Sequence, residues 1–154
     1  MNISRRTFIG TSAEIVTCAS LAAGLQSCRI GSLLYSSGDI PVLEGPAEIL
    51  IEQEPVFQTT GGAVKKRFAG INNGNVIIIV RISDQSFVAY AAQCTHWGAE
   101  VELPHKGIMV CPFHGSRYDA DDGSDVEGPA VEALPNYSIF FDKIQQRLTI
   151  VPKG

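Results

Sequence analysis

Two short segments, Cys94-Thr95-His96 and Cys111-Pro112-Phe113-His114, constrain this chain more than any other feature. Each offers one thiolate and one imidazole, and fourteen residues, Trp97 to Val110, separate them. Zinc fingers usually group Cys with Cys and His with His, as in C-x2-4-C followed by H-x3-5-H. Here each half is mixed, and one half has the very short C-x-H spacing. A thiolate is a soft, charged ligand that stabilises ferric iron, whereas a neutral imidazole adds no charge and raises the reduction potential. If each loop gives its Cys to one iron and its His to the other, a two-iron, two-sulfide cluster is clamped between them. The same residues leave three other arrangements open. They are a tetrahedral zinc site, a Cys94–Cys111 disulfide that leaves both histidines without a role, and a thiol–imidazole nucleophile, which needs only one loop.

The stretch Cys111-Pro112-Phe113-His114-Gly115-Ser116-Arg117-Tyr118-Asp119 resembles the second cluster loop of the Rieske iron–sulfur family, and Gly128-Pro129-Ala130 is similar to the proline-containing loop that covers the cluster there. The similarity spans residues 45 to 152. The resemblance implies one [2Fe-2S] cluster per chain. Cys94 and Cys111 would bind the buried ferric iron, and His96 and His114 the outer iron at an exposed tip. In the higher-potential members a Ser and a Tyr, here Ser116 and Tyr118, donate to a bridging sulfide and to a cysteine sulfur. Such donors stabilise the electron-rich reduced state, which places the expected potential in the upper part of the family's range of about −150 to +300 mV.

Two positions depart from the quinol-oxidising respiratory members, in which a Cys in each loop forms a disulfide. The matching residues are Ala99 and Phe113. They are expected to pack across the loops without a covalent tie, which draws the expected potential down. Trp97 stands directly after His96, where an aliphatic residue usually meets the quinol pocket. It is expected at the tip, and quinol contact stays open. His105, between Pro104 and Lys106, reads as a surface residue rather than a ligand.

After residue 46 the chain reads as short strands separated by turn residues, with no amphipathic helical period. Asn72-Asn73-Gly74-Asn75 is a strong hairpin turn, because Asn and Gly tolerate positive φ. It joins Val64–Ala69 to Val76–Ile82, whose β-branched run suits burial on both faces. Phe87–Ala92 leads into the first loop and Ile108–Val110 into the second, and Tyr137–Phe141 with Arg147–Val151 forms a terminal hairpin. The expected fold is all-β: a Rieske-like antiparallel sheet base over residues 46–154, with a small cluster-binding subdomain inserted at about 94–130. The acidic run Asp119–Asp125 lacks the spacing of a calcium loop, since Gly123 stands where a ligand is needed, and reads as a solvated turn.

The beginning of the chain has a different character. Ser4-Arg5-Arg6-Thr7-Phe8-Ile9 is similar to a twin-arginine export signal, and a mildly apolar stretch from Ile15 to Leu25 follows. That pathway carries folded proteins, which suits a cluster inserted before export. Leu25-Gln26-Ser27-Cys28 resembles a bacterial lipobox, so Cys28 is the candidate lipidation site and residues 1–28 the leader. Cleavage near Ala22 to Gly24 and a retained anchor are the alternatives. Glu14 and the length of the stretch weigh against a spanning helix. Residues 29–45 read as a linker.

With 12 basic and 16 acidic residues the net charge is −4, and no basic stripe suggests nucleic acid. The expected function is one-electron transfer as a membrane-tethered subunit of an exported redox or respiratory complex, on the periplasmic or outer face. The expected partners are redox proteins, a cytochrome or a large oxidoreductase subunit, and no independent catalytic site is expected. A free Rieske-type ferredoxin supplying an oxygenase and a non-redox zinc-binding module are the competing functions.

Overall fold

The computed structural model describes residues 40–152. The twin-arginine motif, Cys28 and the first part of the expected linker lie outside them. Among the described residues there are ten strands, three short 3-10 turns and no α-helix, and none of their helices is long and apolar enough to cross a membrane. The all-β expectation holds.

A seven-stranded sheet forms the base, in the order β1-β3-β4-β5-β9-β10-β2. Its members are β1 (Val42–Leu43), β2 (Glu48–Leu50), β3 (Ala63–Phe68), β4 (Val76–Arg81), β5 (Phe87–Ala91), β9 (Asn136–Asp142) and β10 (Arg147–Val151). The β3–β4 hairpin closes in the register Val64↔Ile79 and Arg67↔Val76. Its turn places Asn72, Asn73 and Gly74 at φ +50°, +52° and +74°, a region closed to most side chains. β9 pairs with β5 only through Asn136 and Tyr137, then with β10 over five positions, so the sheet curls at β9.

β4 explains the architecture. Its Val76 to Val80 are all buried, and alternate side chains serve different cores, as the two-residue strand period requires. Ile77 and Ile79 face Phe57, Phe68, Phe87, Leu148 and Ile150 within the curled sheet. Val76, Ile78 and Val80 face Cys94, Val101, Met109, Cys111, Tyr118 and Leu134. A strand buried on both faces thus joins the base to the segment that carries both loops. Full burial of each such side chain contributes roughly 1.5–3 kcal/mol relative to exposure.

The inserted segment lies between β5 and β9. It contains a three-stranded sheet of β6 (Ile108–Val110), β7 (Arg117–Asp119) and β8 (Asp125–Glu127). Strands β7 and β8 have no counterpart in the sequence reading, because three-residue strands leave too short a pattern. The acidic run is their turn. Asp119 Oδ1 accepts from Asp121 N–H at 2.7 Å and Asp122 Oδ1 from Ser124 N–H at 2.8 Å.

Of the linker expected over 29–45, residues 40–45 are among the described ones, and they are tied to the base. Ile40 is buried among Val76, Ile78 and Tyr90, and its carbonyl accepts from Arg67 Nη1 at 3.4 Å. Val42 and Leu43 pair in parallel with Arg67 and Phe68. One apolar residue and a two-residue strand carry no periodicity to read, yet they attach this stretch to the base.

Candidate cluster-binding site

The two loops are built alike. In the first, Gly98 N–H donates to Cys94 O at 2.7 Å and Cys94 N–H donates to Ala99 O at 2.8 Å. In the second, Gly115 N–H donates to Cys111 O at 3.0 Å and Cys111 N–H donates to Ser116 O at 2.8 Å. Each loop is therefore a turn closed from the fourth residue after the Cys and pinned from the fifth. The fourth residue must take positive φ, and Gly98 and Gly115 do so at +74° and +76°. The Cys-to-Gly spacing is four in both motifs. That signal lay in the sequence behind the unequal C-x-H and C-x-x-H spacings.

Both thiols are buried and neither is in a disulfide. The imidazoles lie outside them: His114 is exposed and His96 partly so. The two rings meet edge to face with centroids 4.9 Å apart. His96 Nδ1 is buried and has no hydrogen-bond partner. Leaving such an atom unsatisfied costs about 1–3 kcal/mol, and a metal ion in front of the nitrogen would remove that cost. Among the described residues no three His, Cys, Asp or Glu side chains are placed to hold one metal ion. A cluster of two irons bridged by sulfide asks for only two protein ligands per iron. Two buried thiols and two outer imidazoles match that demand, so the residues present fit a [2Fe-2S] group.

Polar contacts surround the sulfurs. Tyr118, fully buried, places its hydroxyl 3.1 Å from Cys94 Sγ. Burial pushes the Cys94 thiol up, but hydrogen bonds from the Tyr118 hydroxyl, the His96 backbone, Cys111 and Ser116 together hold it below its ordinary value. Burial leaves the neighbouring Cys111 thiol above its own, despite the backbone N–H groups of Phe113 and His114. Ser116 is also fully buried, and its Oγ accepts from Ala130 N–H at 3.2 Å. That bond pins the Gly128-Pro129-Ala130 loop over the second motif and leaves the Ser116 proton free to be donated. Gly128, at φ +104°, lies so close that a Cβ would stand 2.6 Å from Ser116 Cα.

Two residues to which the sequence reading assigned no role belong to this shell. Thr95 Oγ1 donates to Glu132 O at 2.7 Å and lies 3.0 Å from the Tyr118 hydroxyl, which accepts from Thr95 N–H at 3.1 Å. Gln93 accepts from Asn72 Nδ2 at 2.7 Å, tying the β3–β4 turn to the residue before Cys94. Thr95 was visible as the residue between two candidate ligands, but its partners, Tyr118 on β7 and Glu132, lie 23 and 37 residues away.

Trp97 stands at the tip as expected, 80% exposed, with its ring centroid 5.8 Å from that of His114. Phe113 corrects an expectation. It does not pack across the loops; it is 75% exposed beside His114, while Ala99 packs against the core. The turn closed at Gly115 carries the Phe113 side chain outward. His105 is exposed and lies between the two motifs, pairing through its backbone with Ile108.

Two buried thiols under two outer imidazoles, on paired glycine-closed loops inserted in a β base, are what an iron–sulfur domain of mixed ligation would need. The Rieske [2Fe-2S] domain family matches residues 52–138, more than half of the chain, and the chain belongs to that family. A Rieske domain binds a [2Fe-2S] cluster and transfers single electrons through it.

A Haloferax mediterranei protein assigned as a respiratory nitrate reductase subunit Rieske is 41% identical over 54 residues, which are 34% of this chain and 24% of that protein. The match thus spans about a quarter of that relative's length. The cyanobacterial plasma membrane Rieske protein PetC3 from Synechocystis is 26% identical, with a TM-score of 0.49 over 58% of this chain and 86% of that one. The terminal oxygenase of carbazole 1,9a-dioxygenase from Novosphingobium is 21% identical. It aligns over 70% of this chain and 29% of its own, with a TM-score of 0.51, a likeness of fold alone.

Proposed function

We propose that this chain is the electron-transfer subunit of an exported, membrane-tethered redox complex, with Cys94 and Cys111 holding the inner iron and His96 and His114 the outer one. When bound, the cluster supplies a one-electron couple whose potential the protein sets. Buried as they are, the two thiols would hold an iron away from water, and the outer imidazoles would give electrons a short path to the surface. Ser116 and Tyr118 direct hydroxyl protons toward sulfur and raise the potential. The observation that carries the reading is the unpartnered, buried Nδ1 of His96, beside two buried thiols.

Support for a complex comes from the Haloferax relative, which is assigned as a subunit of a respiratory nitrate reductase. A cytochrome or a large oxidoreductase subunit is the matching kind of partner. Support for export and tethering comes from Ser4-Arg5-Arg6-Thr7-Phe8-Ile9 and from Leu25-Gln26-Ser27-Cys28. Setting aside Arg5, Arg6 and Glu14 leaves 10 basic and 15 acidic residues, a net charge of −5 that anionic lipid repels. Electrostatics alone then cannot hold the protein at the membrane, which favours attachment through the acyl chains of a lipidated Cys28.

Metal analysis and EPR of the dithionite-reduced protein test the cluster. Two irons per chain and an average g-value below that of an all-Cys cluster are expected. Stoichiometric zinc without an EPR signal would overturn the assignment. Mass spectrometry of the N-terminal peptide from native membranes tests the tether, for which a diacylated Cys28 is expected and an unmodified Met1 is the contrary result.

A further inference from the structure

We infer that Thr95 is a positioning residue that controls how much of the Tyr118 hydroxyl proton reaches the Cys94 sulfur. The inference rests on the reading of Cys94 as an iron ligand and of Tyr118 as a donor to it.

The hydrogen-bond inventory of the three groups leads to this role. Thr95 Oγ1 carries one proton, and the Glu132 carbonyl 2.7 Å away can only accept, so the proton goes there. Toward Tyr118, 3.0 Å away, Thr95 Oγ1 therefore presents a lone pair. The Tyr118 oxygen is already an acceptor, because Thr95 N–H points at it from 3.1 Å and can only donate. Tyr118 keeps one proton to give, and it has two acceptors at nearly the same distance: Thr95 Oγ1 at 3.0 Å and Cys94 Sγ at 3.1 Å. The donor that raises the potential is shared with a competing oxygen.

The competition has a direction. In the oxidised state the sulfur is poorer in electrons, and the hydroxyl oxygen holds a larger share of the proton. Reduction makes the sulfur a better acceptor and draws the proton over. The structure holds Thr95 in this position from both sides, since its hydroxyl is clamped to the chain that follows the Gly128-Pro129-Ala130 loop and its N–H to Tyr118 itself. Removing the competing oxygen hands the whole proton to sulfur. The sign is opposite to that of deleting a donor.

Thr95→Val keeps the β-branched shape and deletes the oxygen, and Thr95→Ala deletes it with less bulk. Thr95→Ser keeps the oxygen. Midpoint potentials from protein-film voltammetry, with the EPR line shape as the check that the ligands are unchanged, give the test. The potential is expected to rise in Thr95→Val and Thr95→Ala and to stay at the wild-type value in Thr95→Ser. In a Tyr118→Phe background, Thr95→Val is expected to add nothing, because its effect passes through the tyrosine hydroxyl. A potential that falls or stays put in both oxygen-deleting variants overturns the inference, as does an equal shift without the tyrosine hydroxyl. Failure of both variants to hold a cluster would mark Thr95 as structural and also overturn it. A Tyr118→Phe protein with the wild-type potential would instead overturn the reading of Tyr118 on which the inference stands.

Discussion

Tyr118→Phe separates two energies that one hydroxyl supplies. The ring is fully buried, and phenylalanine refills its space, so the substitution removes one oxygen and its three contacts. Those are to Cys94 Sγ at 3.1 Å, Thr95 N at 3.1 Å and Thr95 Oγ1 at 3.0 Å. The Thr95 N–H loses its acceptor in a part-buried place, which costs about 1 kcal/mol of stability, the lower end for an unsatisfied group. The potential responds to a different quantity, the change in hydrogen-bond strength between redox states. A hydrogen bond to a charged group contributes about 1.5–3 kcal/mol, and the sulfur gains only part of a charge on reduction. A difference of about 1 kcal/mol corresponds to about 40 mV, because tenfold in a one-electron equilibrium is 59 mV. The expected outcome is a midpoint potential lower by some tens of millivolts, with the cluster assembled and the denaturation midpoint modestly reduced. Protein-film voltammetry and urea unfolding followed by cluster absorbance read the two effects. A lower stability with no change in potential would refute the claim that the hydroxyl donates to the ligand sulfur.

Three further substitutions test other parts of the account. Ser116→Ala removes a donor and also the acceptor of Ala130 N–H, so the potential should fall by a similar amount and the cluster should bleach faster on warming, both followed by absorbance and voltammetry. Gly128→Ala places a Cβ 2.6 Å from Ser116 Cα at φ +104°; strain of about 1–3 kcal/mol plus the clash should lower Tm by several degrees in a thermal scan. Ile78→Ala empties the face of β4 that meets the loop-bearing segment, so it should cost about 2–5 kcal/mol in chemical denaturation and hasten cluster loss as well.

The sequence made the outline of this fold legible where local patterns are strong. The β3–β4 hairpin announced itself through Asn72-Asn73-Gly74, because only a few residue types accept three successive left-handed conformations. The β-branched run read in Val76–Ile82 correctly implied burial on two faces, although which core lay on which side came only from the tertiary structure. The short strands β1, β7 and β8 were hidden, because two or three residues carry no period. At the site, the four candidate ligands and the Ser116–Tyr118 pair stood out in the loop motifs. Thr95 was not, since its role depends on Tyr118 and Glu132, partners that only the folded chain brings to it. Phe113 misled for a related reason: apolar character suggested packing, whereas the turn that closes on Gly115 decides which way the side chain points.

The central claim is that two histidines of this chain bind the outer iron. Pulsed EPR of the dithionite-reduced holoprotein, prepared with 15N-labelled histidine, tests it most directly. The chain has three histidines, and His105→Gln removes the one expected to be a bystander. Two 15N couplings to the cluster are predicted, unchanged in His105→Gln, with loss of the Rieske signal in His96→Ala and in His114→Ala. A reduced cluster without 15N coupling, or couplings that vanish with His105, would contradict the account.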